Sequence, residues 1–322
     1  MESYTKAKLE AGQLSQLVEA AFGSEVCLIS SKELTGGMFN AAYDLELSNG
    51  KAVILKVAPS QEAETLSYEK NIMRTEVEAL RLVHKLGTVP VPEVYSYDES
   101  LAQIPYPYFF MEKIEGEPYN EVKGSLAPET IEGIETALGR YNRAINEVRG
   151  NHFGVFDQTA ETGTGASWRD TFSSMMNGLL EDGRRLGVGL PASYEEVQQA
   201  IADYLPELDV VTEARLVHWD LWNGNVFVKD GRIVSIIDWE RALWGDVLLE
   251  YYFRHFENSP GFNQGYGATF DSPNEARRKK LYDLYLDLIL VIECYSRQYE
   301  DQSHVKWTHE NLAESWIRFT SH

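Results

Sequence analysis

The 322-residue sequence is poor in cysteine: Cys27 and Cys294 stand far apart, in no CxxC pair and beside no histidine cluster. That excludes a disulfide framework and a zinc site built from thiolates, and predicts two buried, reduced thiols. Long apolar runs are missing as well. The longest, Leu284 to Cys294, is interrupted by Asp287 and Glu293 and is shorter than the ~20 residues a bilayer-spanning helix needs. Residues Met1 to Gly12 carry no basic, apolar leader, so the expected location is cytoplasmic. Positive charge is scarce, with 29 Lys and Arg against 50 Asp and Glu for a net charge of −21. Such a surface repels nucleic-acid phosphates and anionic lipid, so neither nucleic acid nor membrane is expected as a partner. There is no internal repeat and no low-complexity tract.

What remains is a globular composition, 43% apolar, on a chain longer than one hydrophobic core usually grows, which points to two unequal lobes. An opening helix presents Leu14, Leu17, Val18, Ala21 and Phe22. Three strands are expected over 26–58, the last two turning at Ser48-Asn49-Gly50-Lys51, since Asn-Gly is a strong hairpin signal. Ile72, Val77, Leu80, Val83 and Leu86 recur at helical spacing, with Gly87 placed to end that helix. Extended segments follow at 93–98 and 106–114. Beyond Gly116 the pattern becomes helical, near 127–148, 168–187, 194–204 and 273–300, broken by one strand pair about Lys229-Asp230-Gly231. Ser272-Pro273-Asn274-Glu275 reads as a capping box with proline in the first turn.

The chemistry concentrates in residues 218–225, HWDLWNGN, followed by a hairpin and then Asp238-Trp239-Glu240. The hairpin folds the chain back, so Asp220, Asn225 and Asp238 are expected to converge. Two carboxylates and an amide oxygen are too few to cage Ca²⁺. They suit Mg²⁺, which keeps waters and takes phosphate oxygens.

His218-x-Asp220-x-x-x-x-Asn225 with Asp238 after a hairpin resembles the catalytic and metal loops of the protein-kinase-like superfamily, and more closely those of the aminoglycoside phosphotransferase family of small-molecule kinases. The resemblance runs through nearly the whole chain. Leu34-Thr35-Gly36-Gly37-Met38-Phe39-Asn40 is similar to the nucleotide-positioning loop, and Ile54-Leu55-Lys56-Val57 to the strand bearing the phosphate lysine. Glu76 matches the partner of that lysine, with Glu78 as rival. Tyr108 to Gly116 matches the hinge.

The resemblance implies an α+β, bilobal fold, with a β-rich lobe over 1–110, a hinge at 111–116 and a helical lobe over 117–322. It implies ATP, with GTP left open, and Mg²⁺ as cofactors. Lys56, Glu76, Gly36, Gly37, Asn40 and the main chain at Met111 would bind the nucleotide, Asn225 and Asp238 the metal. Asp220 would act as base toward a hydroxyl of a small substrate, with a cationic one left open, and His218 would prop the loop. A ketosamine or choline-type kinase, or a non-catalytic nucleotide-binding module, is the alternative. The oligomeric state is left open.

Two departures stand out. Position 219 is Trp where small-molecule kinases of this kind usually carry Gly and protein kinases Arg, and Val247 and Glu250 replace the Pro and Asp that usually follow Gly-Asp. Trp222, Glu240, Asp283, Asp287 and Glu293 are candidate acceptor contacts. For Asp283 and Asp287 a solvated helix face, with Lys279 and Asp283 as an i,i+4 pair, is the favoured reading.

Overall fold

The computed structural model describes residues 7–34, 40–59, 65–156, 167–257, 259–299 and 301–321. Helix α1 (Ala11–Phe22) leads into strands β1 (Leu28–Leu34), β2 (Ala41–Leu47) and β3 (Ala52–Val57), then helix α2 (Ile72–Leu86) and strands β4 (Val94–Asp98) and β5 (Tyr108–Glu112). The strands form one antiparallel sheet in the order β1-β2-β3-β5-β4. Period-2 alternation decides what each face of β3 meets. Val53, Leu55 and Val57 point into a small core shared with Leu14, Leu17 and Val18 of α1, which sends Lys56 to the opposite face, toward α2.

The β2–β3 turn differs in detail from the expected paired left-handed residues. Gly50 alone has positive φ, +83°, and Leu47 N–H bonds to Lys51 O at 2.9 Å, closing a three-residue loop. Gly87 ends α2 with φ +67°, as its position in the sequence predicts.

The second part begins with strand β6 (Glu117–Pro118), helices α3 (Tyr119–Val122) and α4 (Pro128–Asn146), strand β7 (Gly154–Val155), and helices α5 (Trp168–Arg185) and α6 (Tyr194–Ala202). Strands β8 (Arg215–Val217), β9 (Val226–Lys229), β10 (Arg232–Ile236) and β11 (Leu243–Gly245) follow, then helices α7 (Pro260–Tyr266), α8 (Pro273–Ser296) and α9 (Gln302–Thr320). Two small sheets, β10-β9-β6 and β7-β11-β8, bracket the 218–240 segment. The β9–β10 hairpin turns on Asp230 and Gly231, with φ +51° and +70°, the conformation a two-residue turn requires.

The expected α+β architecture is observed. The helix expected near 273–300 is α8, which stops at Ser296, and a further helix, α9, begins after it under an Asp301 side-chain cap. Ser272 and Glu275 form the predicted capping box. No helix among the described residues is long and apolar enough to cross a membrane.

Candidate active site

Helix α2 carries Glu76 among the buried residues Met73, Val77 and Leu80, so its carboxylate faces the sheet with no exposed surface. Lys56 Nζ donates to Glu76 Oε1 at 2.6 Å and to Asp238 Oδ1 at 2.8 Å. Glu78 turns outward and pairs with Arg74 at 3.2 Å, which removes it as a rival. Burial raises Glu76 to about 7 against the opposing charge of Lys56. Burial alone would also raise Asp238, but the charge and hydrogen bond of Lys56 outweigh it and hold Asp238 below the usual carboxylate range. The lysine, stripped of water yet facing Asp238, Glu76 and Glu240, is held firmly cationic.

The loop from β8 to β9 carries Asp220 and Asn225. Asn225 Nδ2 donates to Asp220 O at 2.8 Å and to Asp220 Oδ2 at 3.2 Å, which leaves Asn225 Oδ1 as the acceptor atom available to a cation. Burial raises Asp220 to about 6, opposed most strongly by the charge of Arg241. His218 is fully buried, with Nε2 3.0 Å from Ile237 O and its ring 4.4 Å from that of Trp239. Burial lowers it to about 4, so it is a neutral strut between the loop and the strand leading to Asp238.

Glu250, whose role the sequence left open, anchors this loop. Its Oε1 accepts His218 N–H at 2.8 Å and its Oε2 accepts Trp219 N–H at 3.1 Å, while Asn146 Nδ2 lies 3.3 Å from Oε1. These bonds hold Trp219 at φ +66°, a left-handed conformation that costs a bulky residue about 1–3 kcal/mol. The ring is well buried in return. It stacks on Tyr285 at 5.6 Å with planes 3° apart, meets Tyr68 edge-on at 6.2 Å, and lies 5.9 Å from the Arg241 guanidinium. Trp222 behaves differently: 39% exposed, it lies over Gly224, where a Cβ would come within 2.2 Å of its ring.

Asn40 is buried and donates to Glu240 Oε2 at 2.9 Å, while Gly36 and Gly37 lie outside the described residues. Met111 is paired in register with Ile54 and Val94 and its side chain is core, so main chain outside the sheet begins at Lys113. Glu240, expected among the acceptor contacts, stands with Glu76 and Asp238, their carboxylate oxygens within 4.8 Å of one another.

The acids of α8 differ from both readings offered for them. Asp283 and Asp287 are buried and face Arg254 at 3.4 and 3.1 Å. Lys279 donates instead to Phe270 O at 2.7 Å. Glu293 is enclosed by Arg241 at 2.6 Å and Arg297 at 3.3 Å. Neither a solvated face nor a free acidic patch is present at these residues.

Known proteins are similar to this chain in sequence and in fold. Hygromycin-B 4-O-kinase of Escherichia coli is 24% identical over 173 residues, 51% of this chain and 47% of that protein. A subtelomeric hrmA-associated cluster protein of Aspergillus fumigatus is 28% identical over 130 residues, 40% of this chain and 25% of that protein. The chain thus spans less than half the length of the curated relatives it matches. Among solved structures, a candidate fructosamine-3-kinase of Haemophilus somnus superposes with a TM-score of 0.69 at 19% identity, covering 94% of this chain and 96% of that one. A thermostable variant of aminoglycoside phosphotransferase APH(4)-Ia, in a ternary complex with AMP-PNP and hygromycin B, gives 0.63 at 18% identity over 97% and 99%. At such identities the likeness establishes the fold alone. The family model of the phosphotransferase enzyme family (APH) matches residues 30–281, taking in the lysine strand, the Asp220 loop and Asp238, and the chain belongs to that family.

Proposed function

We propose that this protein is an Mg·ATP-dependent phosphotransferase that moves the γ-phosphate to a hydroxyl of a small molecule. One observation carries the reading: a single buried lysine is tied at once to a helix carboxylate and to Asp238, beside a loop that presents Asp220. Phosphoryl transfer asks mainly for positioning and charge neutralisation, and this constellation supplies both. The nucleotide would lie between the lobe over 1–110 and the lobe over 117–322, with 111–116 as hinge. Lys56, oriented by Glu76, would meet the α and β phosphates. Gly36, Gly37 and Asn40 belong to the loop over them, and the main chain from Met111 onward to the adenine edge.

The donor set fits Mg²⁺. Asn225 Oδ1 and the Asp238 carboxylate are hard oxygens, and Glu240 stands close enough to add a third. The bound ion would neutralise charge developing on the transferred phosphoryl group. Asp220 would accept the hydrogen bond of the acceptor hydroxyl, align its oxygen with the γ-phosphorus, and take the proton as the new P–O bond forms and the bond to ADP breaks.

The test is ADP release in a coupled assay over aminocyclitols, ketosamines, choline-like alcohols and neutral sugars, with Asp220→Asn beside the parent. The match to a hygromycin kinase and the fold shared with a candidate fructosamine-3-kinase justify the first two classes. No turnover on any acceptor, with background ATP hydrolysis equal in parent and Asp220→Asn, would sink the reading.

A further inference from the structure

A cavity of about 260 Å³ opens between the start of α2 and helix α5, with Trp219 and Arg241 on its inner wall. Glu240 lines the cavity and its carboxylate stands within 4.8 Å of that of Asp238, and Trp219 is the chain neighbour of Asp220, so the cavity adjoins the proposed metal site and the loop of the proposed base. Ile72, Met175 and Leu243 make much of the lining apolar, and Tyr68 adds a ring. Hydroxyls come from Ser67, Thr75 and Ser174. The volume lies below the ~300–1,000 Å³ usual for drug-sized ligands, enough for about one ring and its substituents.

Charge decides which ring. The acids that would draw a polycation are already matched: Glu293 by Arg241 and Arg297, Asp283 and Asp287 by Arg254. Glu240 is turned to Asn40 and to the carboxylates of the proposed metal site. At the rim, exposed Lys70 and Glu181 oppose each other in sign. An ammonium entering here would face the Arg241 guanidinium on the inner wall and find no uncommitted buried carboxylate among the lining residues.

We propose that this cavity receives the acceptor, and that the acceptor is a neutral, single-ring hydroxyl compound rather than a polycationic aminoglycoside. The proposal rests on the phosphotransferase reading, and Asp220 would take the acceptor proton as the γ-phosphoryl group leaves ADP. Two probe sets test it in the ADP-release assay: methyl and phenyl β-D-glucopyranoside with myo-inositol, against hygromycin B, streptomycin and fructosyl-lysine. Expected are at least tenfold higher kcat/KM for a neutral probe and a value nearly flat between 50 and 300 mM salt. Ser174→Trp, at an exposed position on the cavity wall, should raise the acceptor KM more than tenfold while the KM for Mg·ATP moves less than twofold. Preference for the cationic set, an unmoved acceptor KM in Ser174→Trp, or Asp220-dependent ATP hydrolysis with no acceptor in either set would each overturn the inference and leave the phosphotransferase standing. Loss of all Asp220-dependent ATP turnover would instead remove the underlying reading.

Discussion

Trp219 sets two energies against each other, and replacing it with Gly and with Ala separates them. In the parent the residue holds φ +66° while its ring is 5% exposed. Removing the ring forfeits its packing on Tyr285 and Tyr68, and truncation of a buried Trp typically costs about 3–5 kcal/mol. Gly returns the left-handed strain, about 1–2 kcal/mol, because without Cβ that region is open to it. The expected ranking under urea is therefore parent, then Trp219→Gly lower by about 2–3 kcal/mol, then Trp219→Ala lower by about 1 kcal/mol more. In ordinary helix or strand backbone Ala is the more stable of the two by roughly 0.5–1 kcal/mol, so the sign at this position is diagnostic. Equal slopes of stability against urea would confirm that the same transition is compared. Trp219→Ala equal to or more stable than Trp219→Gly would refute the claim that the Glu250 bonds hold this backbone left-handed.

Other outcomes follow from the same geometry. Glu250→Ala strands the His218 and Trp219 N–H groups and the Asn146 amide in a site without solvent, so urea unfolding should show a loss of about 3–5 kcal/mol and the assay a kcat drop above tenfold. Asp220→Asn should lower kcat more than a hundredfold yet keep the thermal shift given by Mg·ATP, whereas Asp238→Ala should lose that shift; a retained shift in Asp238→Ala argues against its metal role. Glu76 and Glu250, raised to about 7, and Asp220, raised to about 6, keep protons in the native state that the unfolded chain releases nearer 4. Their contribution is complete below that point and is lost as pH climbs to about 7. His218, lowered to about 4, acts in the opposite direction up to its unfolded value near 6.5, but is one group against three. The urea midpoint of the ligand-free protein should thus be lower at pH 8 than at pH 5.5, and a rise across that interval would contradict the burial argument.

How much of this was legible in the sequence depended on how local the signal was. Lys56 and Glu76 are legible through the resemblance of their short segments to family motifs, and the approach of Asn225 and Asp238 through a hairpin marked by Asp230-Gly231. Each signal is short-range. The Glu250 contact spans 31 and 32 positions to Trp219 and His218, and no periodicity joins them. The acids of α8 misled for a related reason. Asp283 and Asp287 recur four apart, as they would on a wet helix, but α8 is buried on most of its circumference and Arg254 comes from a separate segment, just past the 3₁₀ turn 251–253. Helix α9 escaped notice because its buried stripe is Thr308, Leu312, Ser315 and Phe319, half of it polar by residue type.

The two tryptophans of HWDLWNGN turn out to serve different ends. Trp219 is held by Tyr285, Tyr68 and the Arg241 guanidinium, and Arg241 is held in turn by Glu293. The indole fills the space between Tyr285, Tyr68 and Arg241, where a smaller residue would leave a void, and so steadies the guanidinium whose charge acts on Asp220. The same arginine that cancels Glu293 also lowers the cost of keeping Asp220 ionised. Shape, charge and basicity around the proposed base are therefore coupled through one side chain. Arg241→Met would release Glu293, raise Asp220 further and unseat Trp219 together. Its pH–rate profile should move to higher pH by about one unit, alongside lower stability. A profile that stays in place while stability falls would mean that Arg241 is only packing, and that Asp220 owes its ionisation to something else.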